Sequence, residues 1–81
     1  MKKLIFISAD WCSACKSFKP TMDRVSKTLP VEFYNADQAH EIVLKYKISK
    51  IPTLILVQDN NEVKRITGNQ SYETVLKLFN E

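Results

Sequence analysis

The chain has 81 residues, 44% of them hydrophobic and 26% charged, with a formal net charge of +3. That length suits one domain, 1–81, with a single modest core, and the composition excludes a disordered chain. The basic residues fall in small separated groups (Lys2 and Lys3, Lys16 and Lys19, Lys45, Lys47 and Lys50, Lys64 and Arg65) instead of a dense stripe, so nucleic acid is not an expected partner.

Lys3 to Ser8 is nearly continuous apolar sequence, the mark of a strand covered on both faces. Met1-Lys2-Lys3 ahead of it imitates a secretory leader, but the apolar run is too short and Asp10 follows at once. No stretch approaches the roughly 20 apolar residues of a membrane span. The expectation is a cytoplasmic, monomeric protein without a membrane partner. After a loop at Ala9 to Trp11, Cys15, Phe18, Met22, Val25 and Leu29 recur at spacings of three and four, which predicts one face of a helix. Pro20 falls inside that helix and removes a backbone donor.

Pro30 closes the helical region and Val31 to Ala36 reads as a second strand. Asp37 is placed to cap a second helix, with Ala39, Ile42, Val43 and Tyr46 on its core face. Ile48 to Pro52 is a loop, Thr53 to Gln58 a third strand and Glu62 to Thr67 a fourth. Asp59-Asn60-Asn61 between them is turn chemistry for a hairpin. Gly68 breaks the last strand, and Ser71 can cap a third helix that buries Tyr72, Val75, Leu76 and Phe79. The order β-α-β-α-β-β-α predicts an α/β fold. Its four-stranded mixed sheet has a parallel first pair, an antiparallel last pair and three flanking helices.

The two cysteines, Cys12 and Cys15, stand three positions apart where the first strand gives way to a helix. As a staple the pair is poor: closing so short a loop is worth about 2 kcal/mol, against about 3 for a 15-residue loop. As a metal site it is incomplete, since a closed zinc site takes four ligands and only His40 remains to join them. As a redox pair it is well placed. The thiolate is the nucleophile of disulfide exchange, and unpaired N–H groups with the helix dipole favour an anion at a helix start. Cys12 sits there, with Lys16 and Lys19 following. The reading is that Cys12 attacks a disulfide and Cys15, one turn inward, resolves the mixed disulfide, with no cofactor beyond the pair itself.

Together with the strand–helix context, four features resemble the thioredoxin family over nearly the whole chain. They are Ala9-Asp10-Trp11-Cys12 with Cys15, Pro20 five residues on, Tyr46-x-Ile48-x-x-Ile51-Pro52-Thr53, and Gly68. The resemblance implies a thioredoxin-like fold and a protein-disulfide reductase. It also implies a cis Ile51–Pro52 bond facing the cysteines, and a substrate-binding surface made by Trp11, Ile51, Pro52 and Gly68. The implied partners are disulfide-containing proteins and an upstream reductase or low-molecular-weight thiol donor. Two alternatives stand beside that reading: a protein-binding module in which redox chemistry is incidental, and a dedicated electron donor to one partner enzyme.

The sequence also departs from the family. It is expected to start at the cysteine-bearing strand, without the strand and helix that precede it in full-length thioredoxins. It is of glutaredoxin size, yet Trp11, Ile-Pro-Thr and the lack of a Gly-Gly pair near Gly68 set it apart from glutaredoxins. Ser-Ala replaces the usual Gly-Pro between the cysteines. The buried acid many thioredoxins carry six residues before the nucleophile is Phe6 here, and its lysine partner aligns with Phe33. Replacing both partners of a buried ion pair with apolar groups is energetically coherent, but leaves no buried base for Cys15. Its proton is left to water, with help from Asp10.

Overall fold

A computed structural model describes residues 1–80. Seven elements follow the expected order: β1 Lys2–Ser8, α1 Ser13–Val25, β2 Val31–Asn35, α2 His40–Lys45, β3 Thr53–Gln58, β4 Asn61–Thr67 and α3 Tyr72–Phe79. They form one four-stranded sheet in the order β2-β1-β3-β4. β1 runs parallel to β2 and antiparallel to β3, and β3 runs antiparallel to β4.

β1 and β3 are central and buried on both sides because successive side chains point to opposite faces. Leu4 and Phe6 lie opposite Leu56 and Leu54, and all four join Phe18, Met22, Val25, Val75 and Leu78 beneath α1 and α3. Ile5 and Ile7, with Ile55 and Val57, face the other way and pack with Tyr46, Ile42, Ile48 and Ile51 around α2. The sheet therefore has a large core on one face and a smaller one on the other.

α1 is shorter than its apolar spacing predicts. It continues through Pro20 and ends at Val25, while Leu29 reaches the same core from the following turn, half-buried. In α3, Ser71 Oγ caps the first turn by accepting from the Thr74 N–H, as expected. The fully buried pair is Val75 and Leu78, with Tyr72 and Phe79 packed half-buried beside them. The β3–β4 hairpin turns on Asp59 and Asn60 alone, at φ 53° and 70°. These are the left-handed values a two-residue type I′ turn requires, which Asp and Asn tolerate.

α2 departs most from expectation. It has six residues, starts at His40, and its N-cap Ala39 makes no side-chain bond. The chain turns earlier, where Asn35 Oδ1 accepts from the Asp37 N–H at 2.9 Å. Asp37 therefore sits outside the helix and is not its cap. Of the predicted face only Tyr46 is fully buried. The end of α2 is fixed by backbone: Ile48 N–H donates to Val43 O at 2.9 Å and Lys47 N–H to Leu44 O at 3.3 Å, with Lys47 left-handed at φ 52°. This paired closure of a helix end aims the following segment, 48–52, back toward the start of α1. Arg65 Nη2 on β4 reinforces it by donating to Tyr46 O at 2.5 Å.

Candidate active site

Cys12 is the N-cap of α1, with extended backbone at φ −95° and ψ 111°. An N-cap side chain ordinarily offers oxygen to the N–H of the third helical residue. Here sulfur takes that place, and the Cys15 N–H donates to Cys12 Sγ at 3.2 Å. No acidic residue lies in the first turn of α1, so the helix N-terminus presents its positive end to this sulfur uncompensated. Cys12 Sγ also faces the Ile51 carbonyl at 3.9 Å. Both cysteines are free thiols.

Cys15 is enclosed, at 3% exposure, in a small cluster with Ala9 and Cys12 under Ile51. Burial, then a side-chain hydrogen bond with Cys12, pushes its thiol up to about 11, while a backbone hydrogen bond from Ala9 works the other way. The two sulfurs are thus unequal: one accepts the Cys15 N–H at a helix start, the other is held protonated chiefly by desolvation. A cavity of about 250 Å³ opens beside Cys15, lined also by Ser8, Ala9, Asp10, Lys16 and Lys19. A larger one of about 530 Å³ lies at the opposite end of β1 and has no part in the cysteine site.

Phe6 and Phe33, read from sequence as replacing a buried ion pair, do meet edge to face with centroids 5.8 Å apart. Only Phe6 is buried, packed edge-on to Phe18 as well. Phe33 is 42% exposed and lies 5.5 Å from Lys19 Nζ. Lys19 is itself held by both carboxylate oxygens of Asp23, at 3.0 and 3.1 Å, so its charge is already countered there. His40 is exposed, and no group of metal-ligating side chains is assembled among the described residues.

The remaining candidate residues fall in two places. The Ile51–Pro52 bond is cis. Ile51 packs on the cysteine cluster, and the Pro52 carbonyl accepts from the Gly68 N–H at 2.9 Å. Gly68 is left-handed at φ 83°, and a Cβ built on it meets nothing within 4 Å. Its glycine is demanded by backbone conformation, with open space above it. Trp11 is 70% exposed, and its indole Nε1 donates to Asp37 Oδ2 at 2.9 Å. Asp37, expected to cap α2, instead holds the indole of this candidate site residue. Its signal was that Asn35 was free to make the turn, leaving the Asp37 carboxylate for another partner.

A family model, Thioredoxin, matches residues 1–81. The chain belongs to the thioredoxin family. A thioredoxin of Chlamydia pneumoniae is 33% identical over 81 residues, covering 96% of this chain and 79% of that protein. An H-type thioredoxin of Fagopyrum esculentum is 30% identical, covering 94% and 70%. Among solved structures, Fasciola hepatica thioredoxin superposes with a TM-score of 0.89 at 22% identity, covering 98% of this chain and 78% of that one. Reduced Schistosoma mansoni thioredoxin gives 0.87 at 25%, covering 98% and 76%. The protein is a thiol–disulfide oxidoreductase of thioredoxin fold, in a family that works through a redox-active cysteine pair without a cofactor, on disulfide-containing proteins and with a reductase as electron donor. No described helix is long and apolar enough to cross a membrane.

Proposed function

We propose that residues 1–81 act as one domain in which Cys12 is the attacking thiolate and Cys15 the resolving thiol, and that the protein is a cytoplasmic, monomeric reductant of protein disulfides. The observation that carries this reading is the sulfur N-cap: the Cys15 N–H reaches Cys12 Sγ at 3.2 Å. The contact stabilises a thiolate on Cys12 and holds Cys15 within reach of that sulfur.

In the reaction, Cys12 S⁻ attacks one sulfur of the substrate disulfide and the other leaves as a thiolate, giving a mixed disulfide. Cys15, once deprotonated, attacks Cys12 Sγ, and the reduced substrate departs. Substrate chain is received by Trp11, Ile51, Pro52 and Gly68: the Ile51 backbone next to the sulfur offers hydrogen bonds to an extended segment, and Gly68 leaves room for it. A reductase or a low-molecular-weight thiol then reduces the Cys12–Cys15 disulfide.

The test combines insulin-disulfide reduction with the reduction potential of the pair. Cys12→Ser is expected to abolish turnover and Cys15→Ser to accumulate a mixed disulfide. A potential near about −270 mV supports the reductant and one near about −120 mV assigns the opposite direction. Full activity of the Cys12→Ser, Cys15→Ser double variant sinks the reading.

A further inference from the structure

Resolution requires Cys15 to give up a proton, yet the carboxylate that could be expected within the core is replaced by Phe6, sealed against Phe18 and Phe33. The route out lies on another side. Cys15 lines the 250 Å³ cavity whose other walls are Ser8, Ala9, Asp10, Lys16 and Lys19. Ala9 packs with Cys15 in the same buried cluster, and Asp10 is the next residue, exposed to solvent. Asp10 is the one carboxylate on that wall. Of the charged groups around it, Lys19 is engaged by Asp23, and Lys16 adds a positive charge that favours thiolate at the same cavity. Asp37 and Glu32, the carboxylates of β2 and its following turn, are bound to Trp11 and to Lys3 and Tyr34. The cavity volume of about 250 Å³ is several times the roughly 30 Å³ that one water occupies in the liquid, and Ser8, Asp10 and Lys16 on its walls offer polar partners for a short relay.

We propose that Asp10 is the proton acceptor for Cys15 in the resolving step, taking the proton across this cavity. The inference rests on the roles of Cys12 and Cys15 proposed above. The step balances without any added oxidant. The Cys15 S–H bond breaks and its proton goes to the Asp10 carboxylate, directly or through water. The Cys15 sulfur forms a bond to Cys12 Sγ, and the Cys12–substrate S–S bond breaks, releasing a substrate thiolate. Asp10 then returns its proton to solvent. A surface carboxylate thereby does for this chain what a buried base cannot, since an acid in the place of Phe6 would have to be desolvated among aromatic rings.

A symmetric chromogenic aryl disulfide tests this on the reduced 81-residue chain in a single turnover. Its first thiolate is released when Cys12 attacks and its second when Cys15 resolves. With Asp10→Asn, the second release is expected to slow by about tenfold or more at neutral pH, less than the usual hundredfold or greater contribution of a general base because Asp10 is exposed. The first release stays within about twofold. The deficit should shrink as pH rises and hydroxide takes over, and Asp10→Glu should recover most of the second rate. A second phase in Asp10→Asn that overlays wild type at every pH overturns the proposal. So does an equal slowing of both phases, which would mark a charge effect on Cys12. A wild-type protein that releases only one equivalent overturns the Cys12–Cys15 reading itself, and is distinguishable from either.

Discussion

Trp11 Nε1 donates to Asp37 Oδ2 at 2.9 Å, tying the loop that delivers Cys12 to the turn that follows β2. The two segments are 26 residues apart, and both lead out of neighbouring parallel strands. Their ends are therefore close, and the bond sets where an otherwise exposed indole lies. Asp37→Ala removes the acceptor and leaves the indole N–H to water. Because the pair is exposed, the expected stability loss is modest, about 0.5–1.5 kcal/mol in urea denaturation. The larger effect is on order. Trp11 is the only tryptophan, so time-resolved fluorescence anisotropy reads it alone. It should show faster local motion in the variant, with a few-fold drop in kcat/KM for insulin. Unchanged anisotropy would show that the bond does not hold the ring.

The same bond illustrates which parts of the molecule could be read in advance. Every strand and helix was legible because the continuous apolar runs of β1 and β3 and the three-and-four spacing in α1 are dictated by burial. The cysteine site was legible because a CxxC pair between a strand and a helix has few other uses. The connection from Asn35 to Ile48 was not. Asn35 and Asp37 are both competent turn and cap residues; Asn35 makes the turn, and the Asp37 carboxylate pairs with Trp11, a tertiary contact that local sequence does not announce. Lys47 takes a left-handed conformation with no glycine to announce it, since the paired closure of α2 and the Arg65 bond to Tyr46 O hold it there. The exposure of Phe33 was hidden for a related reason: β2 is an edge strand with half-exposed faces, and an aromatic on it need not be core.

Gly68 separates backbone need from substrate need. Its φ of 83° costs an L-residue about 1–2 kcal/mol, while its N–H bond to Pro52 O survives substitution, and a methyl group there touches nothing among the described residues. Gly68→Ala should therefore fold, with a stability loss in that range by chemical denaturation. If a substrate chain approaches this spot, KM for a protein disulfide rises severalfold while the rate with a small aryl disulfide hardly changes. Equal losses on both substrates would place the approach elsewhere.

The Cys15 thiol ties redox state to alkaline stability. Its ordinary value is 9.0, and burial first, then the hydrogen bond with Cys12, raises it to about 11 in the folded reduced protein. The folded state thus holds this proton more tightly than the unfolded chain does. By linkage, the resulting stabilisation is fully present below about pH 9 and is lost as pH climbs toward 11. Cys15→Ala has no such proton, and neither does the oxidised protein. Tyrosines and lysines also titrate in this window, and oxidation removes the Cys12 thiol too, so reduced Cys15→Ala, which keeps all of these, is the comparison that isolates Cys15. The Tm of the reduced wild type should therefore fall more steeply between pH 9 and 11 than that of reduced Cys15→Ala, as scanning calorimetry would show. Parallel curves would mean that the Cys15 thiol is solvated in the folded state. The inequality of the two sulfurs would then rest on the Cys15 N–H contact to Cys12 alone.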